Sequence, residues 1–163
     1  MSPRTAAEFA VLERRLGTDL ALDFAGTSGW WEDADLVPAR EPGRVAVPVD
    51  LAVTSGVPSA VQFLVDRLKT QQGELGALGH PEYGSRHHEV IGEPNIDRTR
   101  NLIKVYVLEA LRHEPRIEKI LSAKVYATST PPRDTVQIDL TVLLIGKDNP
   151  LNFVVPFSLQ VGG

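Results

Sequence analysis

The chain has 163 residues, of which 42% are hydrophobic and 23% charged, the proportions of one soluble globular domain. Its net charge of −4 argues against nucleic acid as the main partner, because phosphate binding needs a clustered basic surface. The absence of cysteine excludes disulfides and thiolate metal sites, and no apolar run approaches the roughly 20 residues of a membrane-spanning helix, so we expect cytoplasmic synthesis without membrane insertion.

The first residues carry a helix signal. Thr5 and Glu8 have the Thr-x-x-Glu spacing of a capping box, which predicts a short N-terminal helix over about residues 6–15, within an N-terminal segment 1–16. Gly17 is a plausible stop for that helix.

A loop-like stretch follows over residues 27–43, where Pro and Gly break any regular pattern. It contains Trp30 and Trp31, and exposed aromatic residues of this kind often mark interfaces. That the tryptophans fold back onto the core is an equally open alternative. The alternating valines between residues 45 and 49 predict a short strand, which Pro48 confines to an edge. We expect a single domain over 1–163, with 27–43 as an inserted loop and 44–161 as the core.

Two helices are predicted in the middle of the chain. Ser59 can cap the first, whose apolar residues fall on one face opposite Gln62, Asp66 and Lys69: Val61, Leu64, Val65 and Leu68. The second, about Ile96–His113, is apolar nearly all round, which predicts cover on more than one side. Pro115 ends it, because the residue before a proline disfavours helical dihedrals.

Three segments after the second helix alternate apolar and polar residues, as strands with one buried face do. The apolar positions are Ile117, Leu121, Ala123 and Val125, then Val136, Ile138, Leu140, Val142 and Leu144, then Phe153, Val155, Phe157, Leu159 and Val161. They predict an antiparallel meander with one face toward the helices, and Pro156 makes the last strand an edge. The fold class is therefore α+β.

Candidate catalytic and metal-binding groups are few. His80, His87 and His88 lie near Glu82 and Glu89, but no compact zinc motif is present, so we expect surface or loop histidines and neither metal nor cofactor. Paired carboxylates can form a glycosidase site, yet the sequence cannot place two of them across a cleft. No nucleophile elbow or phosphate-binding loop occurs.

The predicted edge strand offers another kind of site. A free edge presents unpaired N–H and C=O groups, which can accept a strand from a partner. Phe153, Val155 and Phe157 of that strand are therefore candidate interface residues. A merely protected edge is as consistent with the pattern.

Three short motifs occur in a fixed order around the second helix. Leu68–Glu74 reads Leu-x-Thr-x-x-Gly-Glu, Pro81–Ser85 reads Pro-x-Tyr-Gly-Ser, and Glu114-Pro115-Arg116 follows the helix. This pattern resembles the baseplate wedge family of contractile tails. The family includes the sheath-proximal wedge subunit of contractile-tailed phages, the TssE component of type VI secretion and equivalents in extracellular injection systems. The resemblance covers about Leu16–Leu159.

The resemblance implies an α+β domain related to the inner domain of tail-sheath subunits, present in six copies per particle. It implies docking onto wedge scaffold proteins near Glu114, Pro115 and Arg116, strand pairing with the first ring of sheath subunits, and inner tube or spike-hub proteins nearby. The motif loop would consist of Gly73, Glu74, Pro81, Tyr83, Gly84, Ser85 and Arg86.

Three functions remain in competition. The first is a structural, non-enzymatic baseplate subunit that nucleates the sheath of a phage tail-like particle. The second is a muramidase-like cell-wall hydrolase using Glu74 or Glu114, since older naming calls some family members lysozyme-like. The third is an adaptor unrelated to tails.

Overall fold

The computed structural model describes residues 5, 7, 11, 14–24, 34–39, 50–128 and 134–160. Their contacts group the chain into two compact units, Met1–Phe63 and Leu64–Gly163. Of the predicted N-terminal helix, Ala7, Val11, Arg14 and Arg15 are described and helical. The predicted strand at 45–49 and the tryptophan pair lie outside the described residues.

The strands described in the first unit form short antiparallel ladders. The pairs are β1 (Thr18–Leu20) with β6 (Val53–Ser55), β2 (Leu22–Asp23) with β3 (Asp35–Leu36), and β4 (Pro38–Ala39) with β5 (Asp50–Leu51). Because β3 and β4 fall inside the stretch 27–43, the prediction of a loop is wrong for that part. Strands of two residues are too short to show an alternating pattern, so only their pairing reveals them.

Gln62 joins these ladders to the first long helix, although the sequence pattern placed it on the polar face. Its side chain accepts from the Leu22 N–H (2.9 Å) and donates to the Leu20 C=O (2.8 Å). The amide therefore provides hydrogen-bond partners for one backbone group of β1 and one of β2, which explains why a buried Gln62 is tolerated.

Both helices predicted in the middle of the chain are present: α1 (Val57–Lys69) and α2 (Asp97–Arg112). α1 buries Ala60, Leu64, Val65 and Leu68, and α2 buries Ile103, Val107, Ala110 and Leu111. Leu102 and Val105 of α2 remain 38% and 56% exposed, so the prediction that this helix is covered on more than one side is wrong. No helix in the described ranges is long and apolar enough to cross a bilayer.

The predicted meander is confirmed as an antiparallel sheet in the order β7 (Ile117–Ala127), β8 (Thr135–Leu144) and β9 (Leu151–Ser158). Every second residue of the central strand is buried, from Val136 to Leu144. The α+β class is confirmed, with the core of the second unit between this face and the helices.

Two irregularities in β7 change which of its side chains face the core. The pairing with β8 shifts between Ile117 and Lys119 and again between Ile120 and Ser122. Each extra residue reverses the face on which the next side chains lie. Ile120 therefore sits opposite Val142, and Leu121, predicted on the buried face, is 45% exposed.

Candidate functional site

The motif loop is bonded to the chain that leaves α1. The Ser85 N–H donates to the Thr70 C=O (2.9 Å), and the Gln72 N–H donates to the Ser85 C=O (3.2 Å), which forms a short parallel bridge. Gly84 has φ +100°, a conformation that favours glycine. A Cβ on Gly84 would lie 2.6 Å from the Thr70 carbonyl oxygen. Gly84 therefore allows the loop to approach the end of α1.

The outer part of the motif loop is exposed. Gly73 has φ +91° with open space around it, and Glu74 accepts a hydrogen bond from the Gln71 N–H at 3.2 Å. A 3₁₀ turn (Gly76–Leu78) leads to the exposed Pro81, and Leu78 projects into solvent. These contacts give Gly73 and Glu74 local turn-forming roles.

A polar cluster lies beneath the loop, formed by Arg67, Tyr83, Glu114 and Arg116. The Arg67 guanidinium stacks on the Tyr83 ring (4.6 Å to its centroid) and lies 3.4 Å from Glu114 Oε2. Burial, together with the Asp66 and Glu114 carboxylates and against the two arginines, raises the pKa of the Tyr83 hydroxyl to about 12. Tyr83 therefore stays protonated at neutral pH. The sequence pattern did not single out Arg67; its place beside the apolar stripe of α1 was the available signal.

Glu114, Pro115 and Arg116 form a tight corner between α2 and β7. The Ile117 N–H donates to the Glu114 C=O (3.1 Å), and the Arg116 N–H donates to Glu114 Oε1 (3.0 Å). The Ile145 N–H donates to the Arg116 C=O at 3.0 Å, which fixes the corner to the end of β8. A proline inside this turn stiffens it further.

The corner divides its three residues between interior and surface. Glu114 is only 3% exposed, while Pro115 is exposed and Arg116 is half-buried. Glu114 therefore holds Arg67 and Arg116 from inside. Of the predicted docking triplet, Pro115 and Arg116 reach the surface, whereas Glu114 does not.

His87 is 2% exposed, so the prediction of a surface or loop histidine is wrong for it. It lies in a 3₁₀ helix (Arg86–Val90), where its Nδ1 is 2.8 Å from Ser85 Oγ and its ring meets Phe157 edge-on at 4.4 Å. Burial, with the neighbouring His88, lowers the pKa of His87 to about 3. The neutral ring thus joins the motif loop to β9.

The other histidines have separate surroundings. His88 Nε2 is 2.9 Å from the Leu68 carbonyl oxygen at the end of α1, and His80 is exposed. Within the described residues, no three His, Asp or Glu side chains are grouped closely enough to hold a metal ion.

Arg86 lies at the surface end of the motif loop. Its guanidinium makes two hydrogen bonds to Glu89 (2.9 and 3.1 Å) and stacks on the Tyr106 ring at 4.6 Å. The hydrogen bond raises the pKa of Arg86 and lowers that of Glu89. Arg86 therefore attaches the loop to the exposed side of α2.

The outer edge of β9 is paired with no described strand. The Leu159 N–H donates to the Asp134 C=O at 2.8 Å. Because hydrogen-bonded and non-hydrogen-bonded pairs alternate in an antiparallel ladder, the pairs Phe157–Val136 and Val155–Ile138 are also joined by backbone hydrogen bonds. The backbone groups of Asn152 and Val154 point the other way, toward the open edge. Pro156 shares their orientation, which is why a proline is tolerated there.

The side chains of the predicted interface residues on β9 turn inward. Val155 is buried and Phe157 packs against His87, while Phe153 pairs with the buried Leu140. The backbone groups of Asn152 and Val154 and the side chain of Val154 are therefore the parts of β9 that face outward at this edge. Trp30 and Trp31, the other predicted interface residues, lie outside the described part of the chain.

Comparisons with known proteins found a likeness at the level of structure. No family model matches the chain, and no curated protein matches it. A solved structure from Geobacter sulfurreducens, described as a "putative tail lysozyme", matches with a TM-score of 0.51 and 26% sequence identity. The match covers 63% of this chain and 89% of the other.

Proposed function

We propose that this chain is a structural subunit of a phage tail-like contractile particle, where it docks on the wedge scaffold of the baseplate and seeds the sheath by strand pairing. Its likeness to a protein described as a tail lysozyme supports the tail association. The motif order around α2 supports the baseplate role. Partners would be wedge scaffold proteins and the first sheath ring, with tube or spike-hub proteins nearby and six copies per particle.

The observation that carries the seeding role is the open edge of β9. Asn152 and Val154 direct backbone groups toward that edge, and no described strand pairs with them. An incoming strand can extend such an edge in one register, because backbone hydrogen bonds and alternating side chains fix its alignment. One such contact is weak, whereas six on a ring act together.

A subunit that nucleates the sheath must also hold its edge strand in a fixed position, and the interior contacts do this. Glu114 bonds the Arg116 N–H and lies 3.4 Å from Arg67. His87 packs its ring against Phe157 of β9 from the motif loop. The motif residues thus hold the corner and the edge strand in one framework, with Pro115 and Arg116 presented for docking.

Replacing Val154 with proline tests the seeding role. The change removes an N–H that points to the open edge and leaves the β8 hydrogen bonds in place, so we expect a folded subunit that enters baseplates. Sheath assembly on those baseplates should fall at least tenfold, measured by counting sheathed particles in electron micrographs. Val154→Thr keeps the N–H and the branched shape, and should behave as the unchanged protein. Full-length sheaths in normal numbers with the proline variant would rule out pairing at this edge.

Replacing Arg116 with alanine tests docking separately. Its backbone bonds to Glu114 and Ile145 do not need the side chain, and the buried Glu114 keeps its ion pair with Arg67, so the monomer should stay folded. Loss of the guanidinium removes bidentate contacts to carboxylates on a scaffold protein, and the subunit should be absent from purified baseplates. Arg112→Ala, an exposed arginine of α2, is the matched control. Normal particles carrying the alanine variant would contradict docking through this corner.

The muramidase alternative has one observation in its favour, the description of the structural neighbour as a tail lysozyme. The contacts of the candidate acids favour it less. Glu114 is buried against Arg67 and Arg116, and Glu74 bonds the Gln71 N–H in an exposed turn. Clearing of cell-wall suspensions by the purified protein, lost on Glu74→Gln or Glu114→Gln, would establish the hydrolase in place of the structural subunit.

A further inference from the structure

The exposed side of α2 carries an ordered stripe of four residues. Arg98, Leu102, Val105 and Glu109 follow one another at spacings of four, three and four residues, so they lie along one face. All four are exposed, and Leu102 and Val105 are large apolar residues with 38% and 56% of their surface in solvent. The α2 stripe, as we call these four residues, has a basic end, an apolar centre and an acidic end.

A groove continues the apolar centre of the α2 stripe. It has a volume of about 260 Å³ and is lined by Val90, Ile96, Leu102 and Tyr106, with Glu93 and Arg98 among its polar residues. Ile96, just before the helix, is also exposed. Contiguous apolar surface with a polar rim is typical of a site where another protein binds.

The order of charges along the stripe identifies the partner that fits. A complementary antiparallel helix must place an acidic residue opposite Arg98, apolar residues opposite Leu102 and Val105, and a basic residue opposite Glu109. The stripe of a second copy, read in the opposite direction, has that order. A twofold axis that passes between Leu102 and Val105 places Leu102 of each copy opposite Val105 of the other copy. The same axis places Arg98 of each copy opposite Glu109 of the other.

We propose that this face binds a second copy of the chain, with the two α2 helices antiparallel across a twofold axis. Two apolar residues per helix and two ion pairs make an interface smaller than the roughly 1,200 Å² of stable complexes. The dimer should therefore be weak, with a dissociation constant of about 0.01–1 mM, and form where copies are concentrated. The inference does not depend on the proposed role in tails, since it concerns only contacts between copies.

Sedimentation equilibrium of the full chain at concentrations up to about 1 mM tests the proposal. Self-association is expected, and Val105→Lys should weaken it at least tenfold because it places a charge in the apolar centre. Arg98→Glu and Glu109→Arg should each weaken it, since each sets like charges opposite one another. The double variant restores opposite charges and should recover the affinity of the unchanged chain.

Leu121→Lys is the matched control, because Leu121 is a similarly exposed apolar residue on the sheet. It should leave the dissociation constant unchanged, and thermal unfolding of each variant should confirm that it is folded. A chain that stays monomeric at 1 mM would overturn the proposal. So would a dimer that Val105→Lys leaves intact, or single charge reversals that the double variant does not rescue.

Discussion

Gly84→Ala is expected to destabilise the second unit by about 2–5 kcal/mol, the sum of backbone strain and overpacking. Gly84 has φ +100°, and an added Cβ would lie 2.6 Å from the Thr70 carbonyl oxygen and 2.8 Å from the Gln71 carbonyl. Backbone atoms cannot rotate away as a flexible side chain can, so the loop must move away from the end of α1 and lengthen the Ser85–Thr70 and Gln72–Ser85 hydrogen bonds. Urea unfolding should measure the loss, with a fall in Tm on the order of 10 °C.

Substitutions at two other glycines of the same loop separate the effect of backbone strain from that of overpacking. Gly79 has φ +86° with open space around its Cα, so Gly79→Ala should cost only the strain, about 1 kcal/mol. Gly76 has open space and no positive φ, so Gly76→Ala should be nearly neutral. Equal losses for all three substitutions would show that close approach of the loop to α1 does not stabilise the fold.

Lowering the pH from 7 to 5 is expected to cost about 2 kcal/mol of folding free energy through His87 alone. The pKa of this side chain is about 3 in the folded protein, against an ordinary value of 6.5, because burial disfavours the charged ring. The unfolded chain therefore binds a proton that the folded chain does not. The part of the folding free energy that depends on His87 is therefore fully present above pH 6.5. It falls by about 1.4 kcal/mol per pH unit as the pH is lowered toward 3.

Urea unfolding of the His87→Asn variant across the same pH range isolates this contribution. Asparagine places an amide near the position of Nδ1 and can keep the bond to Ser85, yet it does not titrate. The variant should be less stable at pH 7, since it loses the contact with Phe157, but its stability should change less between pH 7 and 5. The exposed His80→Asn is the control and should keep the full pH dependence. An unchanged slope in His87→Asn would contradict the assignment.

Gly84 and His87 both stabilise the attachment of the motif loop to the rest of the second unit. Gly84 allows the motif loop to touch the end of α1, and His87 carries that loop to Phe157 on the edge strand. Weakening either contact should loosen β9, the strand on which the proposed seeding depends. The motif residues therefore matter to the proposed function mainly by supporting it, with Pro115, Arg116 and the open edge of β9 as the surfaces offered to partners.

Alternation and helical periodicity determined the main framework of this protein. The long helix α2, the three strands β7, β8 and β9 and the edge position of β9 all followed from the sequence, because each repeats a pattern over many residues. Pro156 was a reliable sign of the edge, since proline cannot donate to a ladder.

Only the tertiary structure determined which individual side chains are buried and which are exposed. The irregularities in β7 exposed Leu121, pairing created two-residue strands in a predicted loop, and the packing of α2 left Leu102 and Val105 in solvent. The interior placement of His87, Gln62 and Glu114 depends on partners distant in the chain: Phe157, the β1–β2 backbone and Arg67. Local patterns record what each segment prefers, whereas the burial of a polar group depends on which distant atoms satisfy it.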